Sequence, residues 1–373
     1  MGFDSVDFLY CPMTLSRAHS FSQHMSNRTL GFGIVGTGAI ADFHAKAIAA
    51  IEGATLIGVC SRTPAHAQRF AESHPPAVVA KSVAELVARP DIHAICITTP
   101  SALHREPALQ AIRAGKHVMI EKPIDSTVAG IDEILAAAQR SGVWVGSIFQ
   151  ARFGAGARAL KQAIATGRLG RLVLCSAYAK WNRSPEYYTG WKGKIDEDGG
   201  GALINQAIHA VDLLQWFAGM PQEVFAFSTR RVHTQIESED TVCASLRFGN
   251  GALGCIEAST AVYPGWSRRV EICGEHGCVA MEDDDISCWD FRDSEPEDAK
   301  IRRARESGAM GSGASSPMAI KSDGHLRQMQ DFVAAIREQR APLIDGFEAR
   351  KAVTIVRAIY DSAASGRAVR IDE

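Results

Sequence analysis

A chain of 373 residues, 46% of them apolar, is long enough for two domains that each have a hydrophobic core. Its 40 basic and 42 acidic side chains nearly cancel, which excludes the strongly positive field of a nucleic-acid-binding protein and favours a small-molecule partner. No apolar run reaches the roughly 18 residues that a membrane span needs. The nine cysteines are odd in number and lack a CxxC pair, so we expect a cytoplasmic protein with reduced thiols. We expect no metal site, because Cys273, Cys278 and His276 have no further ligand at usable spacing.

Residues 1–28 mix acids, histidines and serines, without the basic start and continuous apolar stretch of a secretory signal. We expect a disordered or loosely docked extension. Our hypothesis is that some or all of it is dispensable, and loss of soluble protein on its deletion would count against this.

The stretch from Gly31 to Ala50 predicts a buried strand, a glycine turn and a helix. Gly36, Gly38 and Ala41 have the G-x-G-x-x-G/A spacing of a dinucleotide-binding turn, in which the first glycine permits the turn and the second lets a pyrophosphate approach the backbone. The positive end of the following helix favours the phosphates. The residues that we expect to contact a dinucleotide here are Gly36, Thr37, Gly38, Ala39 and Ile40.

The second predicted strand, residues 54–60, bears on the choice of cofactor. In such folds an acidic residue after this strand meets the adenosine ribose and favours NAD, whereas a nearby arginine admits the extra phosphate of NADP. Here Ser61 and Arg62 follow the strand, which favours NADP because no carboxylate repels the phosphate and a guanidinium can pair with it. Alternatively, Arg62 stacks on adenine or lies in solvent, and either cofactor binds.

Further strands near 77–80, 92–98, 116–120 and 143–147 alternate with helices and predict a parallel sheet that ends near Gln150. Ligands collect at the carboxyl ends of such strands. The residues that we expect to contact the cofactor there are Thr98, Thr99, Pro100, Ser101, His104, Glu121 and Lys122. His104 could instead be a structural hydrogen-bonding group, and Glu121 with Lys122 could be a solvated pair.

The second half begins with Arg152 and continues with a predicted helix at 155–166, a strand at 171–180 and a polar, aromatic loop at 181–201. A helix is predicted from Ala202, on which Asn205 and His209 are four residues apart and therefore share a face. A lone histidine on such a helix is usually a core residue, but a neutral imidazole facing a cofactor crevice is suited to take a hydroxyl proton.

The remaining chain predicts antiparallel strands between residues 224 and 290, a charged and then Gly/Ser-rich mobile loop at 294–323, and closing helices at 325–339 and 347–364. We therefore expect a small extension (1–28), a dinucleotide-binding domain (29–150) and an α+β substrate and oligomerisation domain (151–373). The closing helices could pack back on the first domain.

Three motifs occur in order: the glycine turn at 36–41, the TTPSALH and MIEKPID pair between Thr98 and Asp125, and GGGALINQAIHAVD from Gly199. From about Thr29 to Val369 the chain resembles the glucose-fructose oxidoreductase and inositol dehydrogenase family, Gfo/Idh/MocA. The resemblance implies a Rossmann domain followed by a large open, mainly antiparallel sheet, whose free face often makes a dimer contact in a homodimer or homotetramer.

The resemblance also assigns roles. It implies that Lys122 lies beside the nicotinamide and hydrogen-bonds the reacting oxygen, that His209 is the catalytic histidine, and that Trp191 and Lys192 reach the cofactor. Lys192 stands where many members have arginine. Many members also have aspartate at Asn205, and an amide cannot act as a base, so proton transfer falls more heavily on His209 and Lys122. The expected substrate-binding residues are Lys122, Arg152, Asn205 and His209.

The function that follows is hydride transfer between NAD or NADP and a secondary alcohol or keto group of a sugar, cyclitol or related polyol. Two alternatives stay open. One is an NAD-dependent glycoside hydrolase, which releases a sugar without net change in the nicotinamide. The other is a non-catalytic dinucleotide-binding sensor, against which the presence of both Lys122 and His209 argues. The sequence does not identify the sugar, the carbon oxidised or the direction of the reaction.

Overall fold

Two sheets organise the structure, a computed structural model that describes residues 29–306 and 323–371. The first sheet has six strands, all paired in parallel, in the order β3-β2-β1-β4-β5-β6. Its strands are β1 Leu30–Val35, β2 Ala54–Cys60, β3 Val78–Val79, β4 Ala94–Ile97, β5 His117–Ile120 and β6 Val145–Ser147. The strand order reverses between β1 and β4, where open parallel sheets bind their ligands. The predicted doubly wound Rossmann sheet is confirmed.

Helices cover both faces of this sheet, which explains why β1 and β4 are buried along their whole length. The helices of this half are α1 Ala39–Ala49, α2 Pro64–Ser73, α3 Val83–Val87, α4 Arg105–Arg113 and α5 Val128–Ser141. Short strands without charged residues are stable here because the helices remove them from water.

The second sheet has eight strands in the order β13-β12-β11-β7-β10-β9-β8-β14. Only β7 and β10 pair in parallel, and the other neighbours are antiparallel. Its strands are β7 Leu172–Lys180, β8 Pro221–Thr229, β9 Thr241–Phe248, β10 Leu253–Ser259, β11 Arg269–Gly274, β12 Gly277–Glu282, β13 Asp285–Phe291 and β14 Val369–Arg370. Burial alternates along β9, so one face packs on helices and the other is open. The predicted mainly antiparallel open sheet is confirmed.

The helices of the second half connect the two sheets. They are α6 Ala155–Ala165, α7 Ile195–Asp198, α8 Ile208–Ala218, α9 Pro296–Glu306, α10 Asp323–Glu338 and α11 Gly346–Ser365. Helix α10 returns to the first sheet and packs on α1, while α11 contacts α5 and β8. Residues 296–306 form a helix where a loop was predicted. The rest of that loop, residues 307–322, and the extension at 1–28 lie outside the described residues.

No helix within the two described ranges is long and apolar enough to cross a membrane.

Candidate active site

The glycine turn between β1 and α1 lies against the end of β4. Gly36 has a φ of +97°, and an added Cβ would lie 2.7 Å from the Thr98 carbonyl group, so only glycine fits. The Thr98 hydroxyl donates to the Gly36 carbonyl oxygen at 2.7 Å and locks the two turns together. The Thr98 to Ser101 turn therefore lies beside the glycine turn, as predicted.

The turn leaves room for a phosphate group. A Cβ added at Gly38 would meet no atom within 4 Å, and the buried Thr37 hydroxyl has no hydrogen-bond partner among the described residues. Helix α1 begins at Ala39, and the amides of its first turn point along the axis toward this space. These features fit the pyrophosphate of a dinucleotide.

Ser61 and Arg62 follow β2, next to β1 in the sheet, and Arg62 is exposed. The structure thus places both residues at the sheet edge where the adenosine ribose binds in this type of fold.

His104 has a structural role instead of the predicted cofactor contact. Its side chain is buried, with Nδ1 at 2.7 Å from the Pro123 carbonyl oxygen and Nε2 at 2.9 Å from the Thr99 carbonyl oxygen. Burial lowers its pKa. Since both ring nitrogens face protein carbonyl groups, His104 ties the turn after β4 to the turn after β5.

Glu121 is also occupied by the protein, which corrects its predicted contact with the cofactor. One carboxylate oxygen lies 2.8 Å from His44 Nε2, and the other accepts the amide of Lys122 at 3.2 Å. Burial raises the pKa of Glu121, but the hydrogen bond and charge of His44 outweigh this and lower it to about 2. Glu121 therefore positions Lys122 from behind.

Lys122 reaches from β5 to the second half of the chain. Its ammonium donates to the carbonyl oxygen of Asn205 at 2.6 Å. Burial lowers the pKa of Lys122, while the charges of Glu121 and Asp198 raise it. This bond connects a lysine of the first half of the chain to the segment that carries Asn205.

Residues Ala202–Ala207 form a π-helical turn that precedes α8, where a regular α-helix was predicted. The Glu239 carboxylate accepts the amides of Gly201 and Leu203, each at 2.9 Å, and the hydroxyl of Tyr360 at 2.9 Å. These bonds replace the intrahelical partners that a regular first turn leaves unmet. The π-turn places the Asn205 carbonyl group toward Lys122.

His209 lies in the first turn of α8 and is buried against Phe149, with ring centroids 5.7 Å apart. Its Nδ1 has no hydrogen-bond partner among the described residues. Burial lowers the pKa of His209 well below its ordinary value, and the charge of Lys122 lowers it further. The lowered pKa favours the neutral imidazole, which is the form that can accept a proton.

A polar network that the sequence did not reveal holds Asn205. Its amide nitrogen donates to the Asp198 carboxylate, and its amide oxygen accepts from Gln206 and from the Tyr187 hydroxyl. Burial raises the pKa of Asp198 to about 6. The polar, aromatic composition of residues 181–201 was the only sequence signal for this network.

Basic side chains surround the same network. The Lys192 ammonium lies 3.6 Å from the centroid of the Tyr187 ring and 5.9 Å from that of Trp191. Arg183 is buried and donates from Nε and Nη2 to the Gln206 amide oxygen at 3.2 and 2.8 Å. Burial lowers the pKa of Lys192 to about 8, and the charges of Lys122 and Arg183 also lower it.

Arg152 does not join this group, which corrects its predicted contact with substrate. It forms a two-point ion pair with Asp212, at 2.8 and 2.6 Å, and a third bond to Glu348 at 3.0 Å. The side chains of Arg152 and Asp212 are only 5% and 1% exposed. The guanidinium is committed to protein carboxylates and joins the start of the second domain to α8 and α11.

The structure thus links Lys122, Asn205 and Lys192 through hydrogen bonds and a ring contact, and the Lys122 charge acts on His209. No group of three or more His, Cys, Asp or Glu side chains in the described ranges is placed to hold a metal ion. A Rossmann sheet with a phosphate-binding turn, next to a half-buried lysine and a buried histidine, defines a nicotinamide-dependent oxidoreductase.

Comparison with known proteins gives the family. A model described as oxidoreductase family, NAD-binding Rossmann fold, matches residues 30–149, and the GFO/IDH/MocA C-terminal domain matches residues 157–280. The chain belongs to the Gfo/Idh/MocA family, and it is an NAD-binding oxidoreductase of the sugar and cyclitol dehydrogenase type.

Named relatives agree with this assignment. The inositol 2-dehydrogenase of Ralstonia nicotianae is 30% identical over 265 residues, which cover 68% of this chain and 74% of the relative. The 1,5-anhydro-D-fructose reductase of Ensifer adhaerens is 31% identical over 223 residues, which cover 60% and 67%. The crystal structure of the WlbA dehydrogenase from Bordetella pertussis, in complex with NADH and UDP-GlcNAcA, has a TM-score of 0.86 and 31% identity, and covers 93% of this chain and 99% of that one.

Proposed function

We propose that the protein transfers a hydride between a nicotinamide cofactor and a secondary alcohol or keto group of a sugar, cyclitol or related polyol. The observation that carries the proposal is the 2.6 Å bond from the Lys122 ammonium to the Asn205 carbonyl, one helical turn before His209. An ammonium and a neutral imidazole are thereby held at one crevice. These are the groups needed to polarise an alcohol oxygen and to take its proton.

In this reaction a bound nicotinamide supplies the hydride acceptor or donor. When an alcohol is oxidised, Lys122 orients the substrate oxygen and its charge lowers the pKa of the hydroxyl group. The O–H proton passes to His209 while the hydride leaves the carbon that bears this hydroxyl group. In the reverse direction His209, once protonated, returns the proton to the oxygen, and Lys122 stabilises the charge that develops there.

The cofactor-binding residues of the proposal are those of the two turns and the edge of β2. Gly36 to Ile40 hold the pyrophosphate, Ser61 and Arg62 face the ribose, and Thr98 to Ser101 border the nicotinamide half. Trp191 is proposed to reach the cofactor from the second domain. Arg62 supports acceptance of NADP because its exposed guanidinium has no neighbouring carboxylate at position 61. NAD and NADP are therefore to be compared side by side.

Two further features of the working protein are proposed. The chain acts in the cytoplasm as a homodimer or homotetramer, and the open face of the second sheet forms the contact. Large apolar side chains exposed on the open face of this sheet support this, namely Leu174, Phe227 and Leu253. Residues 29–150 and 151–373 are the two proposed domains.

The test is a substrate panel of pentoses, hexoses, uronates and inositols, followed by nicotinamide absorbance with each cofactor. Turnover on members of the panel is expected for the wild-type protein. Lys122→Met and His209→Gln should each reduce kcat by about 10²- to 10⁴-fold, while the cofactor still binds as measured by nicotinamide fluorescence.

Lys194→Met is the matched control, because this exposed lysine lies on the same loop as Lys192 and pairs with Glu197, three residues on. Unchanged turnover in Lys122→Met would refute the assignment of that lysine. Release of a sugar without net change in nicotinamide absorbance would instead identify a glycoside hydrolase.

A further inference from the structure

We propose that the substrate of this enzyme carries a carboxylate, as a uronate-type sugar does, and that the Lys192 ammonium binds this group. The inference rests on the proposed function, adds the chemical class of the sugar, and gives Lys192 a substrate contact in place of the cofactor contact that the family resemblance implies.

Cationic groups outnumber carboxylates around Asn205. Three cationic groups, Lys122, Lys192 and Arg183, act on one another in this cluster, and Asp198 is the carboxylate that faces them. Glu121 also lies near Lys122, but its two oxygens are taken by His44 and by the backbone. The cluster therefore has more cationic groups than carboxylates that face them, and Lys122 and Lys192 are both half-buried.

The second step is that Asp198 does not neutralise Lys192 directly. Its Oδ2 accepts the Gly193 amide at 2.9 Å, and its Oδ1 accepts the amide of Asn205. Lys192 forms no ion pair within 4.0 Å with any carboxylate of the described residues. An anionic group from outside the protein chain can therefore pair with this ammonium.

The third step is that the ammonium is held in place. Lys192 Nζ lies over the face of Tyr187 at 3.6 Å from the ring centroid, a cation–π contact. The hydroxyl of Tyr187 is bonded to the Asn205 amide oxygen at 3.3 Å and accepts from Gln206 at 2.6 Å. The ammonium is therefore positioned relative to the residues that hold Lys122, and not free in solvent.

The fourth step concerns Asn205 itself. The family resemblance leads us to expect aspartate at position 205. Asparagine is uncharged, so the cluster has one negative charge fewer than it would have with aspartate. A neutral residue here makes the site more attractive to an anion and less repulsive toward a substrate carboxylate. Buried charges are stable when paired, so an acidic substituent on the sugar would complete the site.

The experiment compares kcat/KM for pairs that differ only in the acidic group: glucuronate with glucose and galacturonate with galactose. Wild-type protein should prefer the uronate, and Lys192→Met should lower the uronate-to-neutral ratio about 10- to 100-fold, the value of a charged hydrogen bond. Lys192→Arg should retain most of the preference, since it keeps the charge. Lys194→Met should retain all of it.

Three results would overturn the inference: a wild-type preference for the neutral sugars, an unchanged ratio in Lys192→Met, or an equal loss for both sugars together with weaker cofactor binding. The last would make Lys192 a cofactor contact. UDP-glucose is included beside glucose, and a preference for it that vanishes in Lys192→Met would assign the lysine to a phosphate. Absence of turnover on every sugar with either cofactor would contradict the proposed function instead.

Discussion

Burial and neighbouring positive charge lower the pKa values of two side chains of the site, His209 and Lys192. Burial and the charge of Lys122 keep His209 unprotonated, although an imidazole in water is partly protonated near neutrality. Lys192 has a pKa lowered to about 8, with burial as the main cause. The same crowding of positive charge that favours a proton-accepting histidine therefore makes the lysine easy to deprotonate.

This crowding predicts a pH dependence that is specific for acidic substrates. As pH rises through about 8, Lys192 loses its charge, so KM for a uronate should rise while KM for the matched neutral sugar stays level. Lys122, Arg183, Asp198 and Tyr187 face the same ammonium, and the neutral sugar serves as the internal reference for their titration. Initial rates measured between about pH 6 and about pH 10, a range that brackets the lowered pKa of Lys192, test this prediction.

Lys192→Arg provides the control for this profile. Arginine stays charged at every pH in the window, so the rise in KM for the uronate should disappear. A rise of the same size in Lys192→Arg would mean that another group, such as Lys122, titrates in its place.

Among the structural elements, the ion pair of Arg152 explains how the second domain is attached. Arg152 precedes α6, Asp212 lies on α8 and Glu348 on α11, so one guanidinium joins three separate segments. Removal of one partner leaves the other charge buried, which is more costly than the loss of an exposed pair.

Arg152→Met should lower the free energy of unfolding by about 3–5 kcal/mol, because Asp212 is then left as an uncompensated buried carboxylate. Arg350→Met is the matched control. Arg350 pairs with Asp132 at the surface, and its loss should cost about 0–1 kcal/mol. Urea denaturation of both variants measures the difference, and equal midpoints would show that the buried pair contributes no more than the exposed one.

Strand β2 and helix α2 lie where apolar runs and a proline after Thr63 predict them, because local patterns set such elements. The π-turn at 202–207 depends on Glu239 and Tyr360, which are distant in sequence, and no local pattern encodes it.

Contacts between residues that are distant in sequence also decide which site residues the sequence could identify. Lys122 and His209 stand in motifs, and Lys122 lies close enough for its charge to lower the pKa of His209. His104, Glu121 and Arg152 also have polar side chains at the right edge of the fold, but each is taken by a partner from elsewhere in the chain. Which polar groups remain available is decided by tertiary contacts.

For the molecule as a whole, the open face of the second sheet is the proposed contact between copies of the chain. On this face Phe227, which is 68% exposed, pairs with the exposed Cys243 of the neighbouring strand, and Leu253 pairs with Leu174. Stable dimers bury apolar patches of this kind at their centre.

Phe227→Asp should therefore convert the protein to monomers, as measured by size-exclusion chromatography with light scattering. Phe347→Asp is the control, because Phe347 is exposed at the start of α11, in another part of the surface. A wild-type protein that is itself monomeric, or a Phe227→Asp variant with unchanged mass, would contradict the proposed contact.

Helix α10 has a consequence for engineering. It comes from the last fifty residues of the chain, yet Met329, Phe332, Val333 and Ile336 are buried against the first domain. Its Gln328 donates to the carbonyl of Ser147 and accepts the amide of Phe149 beyond edge strand β6. A nucleotide-binding domain cut at residue 150 would therefore lack part of its hydrophobic core. Chimeras made to exchange the cofactor-binding domain need to include α10 together with residues 29–150.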